Sequence, residues 1–413
     1  MADPSSSSQQ FPHQLEHEFL YKEVHPPTGV DDVLTARFVS PHSENLVVSR
    51  GTHLDVYSLR QGERERRLHM EASFPLHGVL KGMNRVRLRS RSRDCLVLTF
   101  EEAKVVVVEF DERSRQLVTL ALVFLEDETI REGRRDAHDK PNLRQCRVSP
   151  DQSCGAQILY GSKLVIIPFE DSDRTPLVPV PHPVDLGANT WRQDPNNKRS
   201  PVSRYKIVDL ATDLHIQHVV DFCFLGGYNT PTLLVLHQKK ETWAGRLPAC
   251  RETVIATAFS LNWDLDSYPK IWSADPLPHD CVDIVTFQDP SVDGVLVLSN
   301  NAILYVNRGS VTCLPVNNFA RESCPTLEPS PTGLNFVLAG SHSCFLTKRE
   351  ILLALKNGDW FLLRLDIEGG IVRQMHVHKV GTSVLSSCVR QCFPSNNHIS
   401  SHFTSEFFLF YSL

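Results

Sequence analysis

The chain has 413 residues, of which 41% are hydrophobic and 22% charged, the proportions of a globular protein with a buried core rather than of a disordered or fibrous one. Forty-three Lys and Arg against 48 Asp and Glu leave a formal charge of −5. That balance excludes a surface built as a whole to grip nucleic acid or an anionic membrane, so any such site is local.

Residues 1–20 hold neither the basic nor the apolar region of a secretory signal; with the Ser5–Ser8 run they read as a disordered extension. His13, Glu16 and His17 have the HxxEH spacing of a zinc peptidase, but they sit beside Pro12 in a polar segment without a further ligand, so no metal site is assigned. Eleven cysteines with no CxxC pair, and no asparagine-linked glycosylation triplet, point to free thiols in a reducing compartment.

Six segments then read alike: Leu46–Leu59, Cys95–Asp111, Gly155–Phe169, Thr232–Leu247, Gly294–Arg308 and Ile351–Asp366. Each has a run of β-branched and Leu residues, a short polar or turn-forming step, and a second apolar run, which is the pattern of a β-hairpin. Asn357-Gly358 is the strongest of the turn signals. Starts spaced between 49 and 77 residues apart suit four-stranded propeller blades with insertions. Helical periodicity is nearly absent. Two charged or proline-rich stretches, 127–147 and 170–206, predict surface insertions.

Between the first two hairpins, Arg85, Arg87, Arg89, Arg91 and Arg93 alternate with Val86, Leu88, Ser90 and Ser92. On a strand, period two sends all five guanidinium groups to one face. Residues 60–93 hold ten Lys and Arg against three Glu, a local excess suited to RNA phosphates or to an acidic partner segment; a solvated loop face is the competing account. Phe222, Phe224, Tyr228, Trp243 and Trp272 read as blade core rather than as base-stacking platforms. Asp264 and Asp266, beside the Trp263-Asp264 dipeptide, read as a surface loop rather than a glycosidase pair. Cys146 and Cys154, and Cys388 and Cys392, lack zinc-finger spacing and read as unrelated thiols. No phosphate-binding loop, dinucleotide fingerprint or nucleophile elbow occurs, and no cofactor is assigned.

Particular residues add a resemblance. Tyr21-Lys22, His25-Pro26-Pro27-Thr28-Gly29 and Leu54-Asp55-Val56-Tyr57, then Leu98-Thr99-Phe100-Glu101-Glu102-Ala103-Lys104, Tyr160-Gly161-Ser162-Lys163-Leu164, Phe224-Leu225-Gly226-Gly227-Tyr228, Trp243-Ala244-Gly245-Arg246, Leu277-Pro278-His279-Asp280-Cys281 and Leu355-Lys356-Asn357-Gly358-Asp359 are colinear. In that order they resemble the large subunit of the cleavage and polyadenylation specificity factor. The resemblance implies a nuclear, non-enzymatic scaffold with WD-like propellers. It also implies partners: a WD-repeat subunit and a zinc-finger subunit that read the AAUAAA signal in pre-mRNA, with poly(A) polymerase as a further candidate.

The expectation is therefore an all-β, WD-like seven-bladed β-propeller over residues 21–388, with an unclosed last blade and a divergent tail over 389–413. The tail's Phe407-Phe408-Leu409-Phe410-Tyr411 window is apolar and β-prone, of the kind that self-associates. Lys198-Arg199-Ser200-Pro201 and the arginine run are weak nuclear-import signals. Two alternatives stand beside the scaffold: an adaptor of a cullin-type ubiquitin ligase or damaged-DNA-binding complex, and a propeller hydrolase. The hydrolase requires a buried carboxylate pair at the central channel, and none is legible in the sequence.

Overall fold

The computed structural model describes residues 29–382 apart from 62–65, 102, 126–145, 170–191, 194–200, 203, 241, 244, 263–266 and 324–332. The predicted extension over 1–20, the tail over 389–413, most of the two insertions, His13, His17, Asp264, Asp266, Cys388 and Cys392 lie outside these residues.

Six antiparallel sheets follow one another along the chain. The first holds β1 (Asp32–Ser40), β2 (Ser43–Arg50), β3 (His53–Gln61) and β4 (Arg66–Pro75). The second holds β5 (Leu80–Val86), β6 (Cys95–Phe100), β7 (Lys104–Asp111) and β8 (Gln116–Phe124). The third holds β9 (Arg147–Val148), β10 (Cys154–Leu159), β11 (Lys163–Pro168), β12 (Arg192–Gln193) and β13 (Arg204–Asp209), with β12 outermost. The fourth holds β14 (Val219–Leu225), β15 (Thr232–Gln238), β16 (Val254–Ser260) and β17 (Lys270–Leu277). The fifth holds β18 (Cys281–Thr286), β19 (Val295–Ser299), β20 (Ala302–Asn307) and β21 (Ser310–Pro315). The sixth holds β22 (His342–Thr347), β23 (Glu350–Ala354), β24 (Asp359–Glu368) and β25 (Ile371–Thr382). The only helices among the described residues are two single turns, Leu210–Asp213 and Ala320–Ser323.

The first strands of successive sheets lie side by side, β1 next to β5, β5 to β9, β9 to β14 and β14 to β18. This is the radial stacking of propeller blades. It also explains why the middle strands read as unbroken apolar runs: a blade sandwiched between two others buries both of its faces. On β15, Leu233 and Val235 pack toward the third sheet with Phe222 and Ile166, while Leu234 and Leu236 pack toward the fifth with Val295 and Val297. On β19, Leu296 and Leu298 turn to the sixth sheet and meet Ile351 and Leu353.

Five of these shared clusters join neighbouring sheets from the first to the sixth. The remaining faces of the two end sheets carry their own apolar groups. Val33, Leu46, Val48 and Tyr57 form one on the first sheet, and Cys344, Leu346, Leu352, Ala354 and Leu362 form the other on the sixth.

The six predicted hairpins fall one in each sheet, with one correction. The second strand of the fourth hairpin is Val254–Ser260 rather than the run ending at Leu247, because β15 pairs with β16 in register Thr232↔Ser260. The segment around Trp243 is a long loop between them. The described residues form six blades, not the seven of the sequence expectation.

Candidate interaction sites

The arginine run does not continue as a strand. β5 ends at Val86, opposite Cys95 where β6 begins, so the chain beyond Val86 has no ladder partner and turns back, Arg91 N–H donating to Leu88 O at 3.1 Å. Only Arg85 lies on the strand, and the predicted single face of five guanidinium groups is replaced by a loop that disperses them. Arg87 lies 3.2 Å from Asp94, Arg91 3.1 Å from Glu109 and Arg93 3.9 Å from Glu112. Arg85 and Arg93 also donate to the carbonyls of Thr35 and Val39 on β1. Arg89 is exposed. Leu88, 6% exposed, anchors the loop in the core cluster shared by the second and third sheets.

Asp94 fixes this loop against the first sheet. Its Oδ2 accepts from the N–H of Arg37 at 2.8 Å, and its own N–H donates to the Arg37 carbonyl. The loop, the end of β1 and the β9–β10 turn then enclose a recess of about 300 Å³ lined by Arg37, Glu44, Arg85, Arg87, Asp94 and Gln152. Gln152 Oε1 accepts the N–H of Arg87 at 3.0 Å. Arg37, Glu44 and Gln152 are far from the arginine run in sequence, and no local pattern marked them. The recess sits on the propeller face where first and second strands of each blade are joined.

A second polar group lies among the first strands. Asp32 accepts from the N–H of Met83, Asn84 Nδ2 donates to Cys146 O, and Asp221 accepts from the N–H of Ile284 at 2.9 Å. Arg147 Nη2 lies 3.5 Å from the other oxygen of Asp221, and Asp283 Oδ1 accepts from the same Ile284 N–H at 3.0 Å. Burial pushes the Asp221 carboxyl up; Arg147 opposes this and Asp283 adds to it.

Two carboxyl groups, Asp221 and Asp283, therefore meet at one backbone N–H among the first strands, a pairing no sequence pattern marks. They are not arranged as a hydrolase pair. Asp221 is 0% exposed, so no scissile bond can reach it, whereas a glycosidase opens both of its acids to the substrate. Arg147 of the third sheet and Ile284 of the fifth both meet Asp221, which makes it a tie between blades.

The eight described cysteines are free thiols, as expected. Burial pushes Cys146 and Cys154 up to about 12, so neither is a thiolate at neutral pH. Phe222 and Phe224 are buried and Trp272 donates to Tyr228 Oη at 2.8 Å beside the core, in keeping with their reading as blade core. Trp243 departs from it, being 62% exposed.

The RSE1/DDB1/CPSF1 first beta-propeller family matches residues 29–399. Among curated relatives, cleavage and polyadenylation specificity factor subunit 1 of Drosophila melanogaster is 29% identical over 389 residues, covering 90% of this chain and 26% of that protein. The protein of the same name in Arabidopsis thaliana is 27% identical over 422 residues, 89% of this chain and 28% of its own length. Protein CFT1 of Debaryomyces hansenii is 25% identical over 379 residues, 87% and 28%. The chain thus spans less than a third of the length of these relatives. With the radial sheets, the interlocking apolar faces and a match over most of its length, this chain belongs to the RSE1/DDB1/CPSF1 first β-propeller family.

Proposed function

We propose that the chain acts as a non-enzymatic scaffold in nuclear pre-mRNA 3′-end cleavage and polyadenylation, holding a WD-repeat subunit and a zinc-finger subunit that read AAUAAA. The observation that carries this reading is the coverage of 89% to 90% of the chain by relatives named for that machinery, joined to a fold whose loops are its recognition surface. The recess beside Arg85 and Arg87 is the local contact. Arg37, Arg85 and Arg87 in its lining suit the carboxylates of an acidic partner peptide, while Glu44 and Asp94 between them interrupt a continuous track of RNA phosphates.

The same reading divides the chain into an extension over 1–20, one propeller over 21–388 and a tail beyond, and it leaves an incomplete, unclosed seventh blade between the sixth sheet and the first. The separate apolar groups around Leu352 and Leu46 support that placement, since each end sheet presents a face of the kind that neighbouring blades bury between them.

Affinity purification of the tagged chain from nuclear extract, with partners identified by mass spectrometry, tests the proposal. Recovery of the WD-repeat and zinc-finger subunits is expected. Recovery of cullin-type partners would move the chain to the adaptor class, and recovery of chaperones alone would overturn the scaffold reading.

A further inference from the structure

β8 is the outermost strand of the second blade, and among the described residues only β7 pairs with it. Its other edge therefore presents a row of backbone N–H and C=O groups at the rim of the propeller. The residues Gln116–Phe124 that form it include no charge and no proline. Ala121 and Val123 hold the strand against the third sheet, while Val118, Leu122 and Phe124 are 40%, 41% and 63% exposed.

The other outer strands are guarded in the ways that keep a sheet edge from pairing. β4 carries Arg67 and Glu71, β17 carries Lys270 and Asp275, and β25 carries Arg373 and Lys379. β21 is six residues long and ends at Pro315. The edge of β13 is covered by β12, with Arg192 opposite Tyr205 and Gln193 opposite Arg204, so the blade beside β8 already takes a further strand on its rim. The charges of β7 leave β8 unguarded as well. Lys104, opposite Phe124, donates to the His77 carbonyl and lies 4.2 Å from the centre of the Phe100 ring. Glu109, opposite Val118, is paired with Arg91.

The composition of this edge selects what can cover it. A two-fold axis between two copies of a chain sets the same patch against itself, and like charges directly opposite each other destabilise a strand pair. β8 has none to oppose. Both strands of such a pair are neutral and rich in β-branched and apolar residues, and each brings side chains that a single chain leaves uncovered.

We infer that β8 is a self-association edge: two copies of the chain join rim to rim through antiparallel pairing of their β8 strands, which continues one second sheet into the other and covers Val118, Leu122 and Phe124. This goes beyond the scaffold proposal and uses neither the arginine recess nor the faces of the end sheets.

Sedimentation velocity of the full chain over about a hundredfold range of concentration tests the inference, with hydrogen exchange to locate the contact. A dimer is expected, and exchange of the β8 amides is expected to slow as it forms. Leu122→Lys is expected to weaken association at least about 10-fold, since each copy loses a buried leucine and gains a cation at the edge. Ile271→Lys, at a position 43% exposed on the guarded strand β17, is expected to leave association unchanged. Unchanged circular dichroism in both variants keeps the comparison between folded chains, and hydrogen exchange reads the contact in the parent chain without any substitution. A parent chain that stays monomeric overturns the inference. So does equal association of Leu122→Lys, or a dimer whose protected amides lie in the first and sixth sheets rather than in β8. A polyadenylation subunit recovered from nuclear extract by a monomeric parent and lost from Leu122→Lys would give the edge to a partner strand in place of a second copy. Recovery of those subunits by both chains leaves the scaffold proposal standing whichever way the dimer result falls.

Discussion

Asp221 on the fourth sheet accepts a 2.9 Å hydrogen bond from the backbone N–H of Ile284 on the fifth. Asp32 does the same between the first and second sheets with Met83, and the Arg147–Asp221 ion pair joins the third to the fourth. First strands that lie side by side cannot complete a ladder with each other, so backbone N–H groups there need side-chain acceptors. A short carboxylate on the neighbouring strand meets that need and fixes the angle between blades.

Arg147→Ala is expected to lower unfolding free energy by about 1–3 kcal/mol, because it leaves the buried Asp221 Oδ1, 3.5 Å from the guanidinium, without its polar partner. Urea denaturation of the variant beside the parent measures this. A loss below 1 kcal/mol would show that Arg147 adds nothing to the tie.

Asp221 also makes a pH prediction. Its carboxyl is raised by burial in the native state, so above the unfolded value, about 3.9, the native chain holds a proton that the unfolded chain has lost. That group's contribution is present below about pH 4 and is lost as pH rises through the native value. The stability of Asp221→Asn is therefore expected to fall less than the parent's as pH rises toward neutral. Parallel profiles would rule the linkage out.

His237 has the opposite dependence. It is buried on β15 with Nε2 2.9 Å from Thr257 Oγ1, and burial, with Lys270 adding to it, lowers its imidazole to about 4. The unfolded chain takes up a proton near pH 6.5 while the native chain does not, so stability is lost as pH falls from about 6.5 to about 4, by up to about 3 kcal/mol. The difference in stability between the parent and His237→Gln, followed over that window, isolates the effect, and a constant difference would contradict it.

Gly294, entering β19, has φ +87°, and a Cβ there would stand 2.4 Å from the Val306 carbonyl oxygen. Gly294→Ala combines a left-handed backbone with a backbone clash and is expected to cost about 1–3 kcal/mol. Gly369, with φ +58° and nothing within 4 Å, carries only the conformational part, about 1 kcal/mol for alanine. Thermal melts of both variants should preserve that order.

Arg85→Ser with Arg89→Ser is expected to weaken the salt dependence of binding to the recovered polyadenylation subunits while changing stability by less than about 0.5 kcal/mol, as exposed substitutions do. Arg87→Ser is expected to cost more stability, because its partner Asp94 holds the loop to β1. An unchanged salt slope in the double variant would remove the recess from the partner surface.

What the sequence determined by itself was local. Apolar runs around short turns such as Asn357-Gly358 placed five of the six hairpins, because strand pairing across a short loop depends on neighbours in the chain. The fourth hairpin failed where β15 and β16 are joined by a long loop, and Trp243, apolar by type, was read into a strand.

Tertiary structure alone decided the rest. Five arginines at period two satisfy a strand pattern, but β6 begins opposite Val86 and leaves the rest of the run unpaired, free to turn toward Asp94, Glu109 and Glu112. Arg37, Glu44 and Gln152 reach the same recess from other blades, and Asp221 meets Asp283 and Arg147 only because three first strands converge. A hairpin is fixed by contacts within some twenty residues, whereas a site shared between blades depends on how separate sheets stack, and that stacking leaves no periodic trace in any one segment.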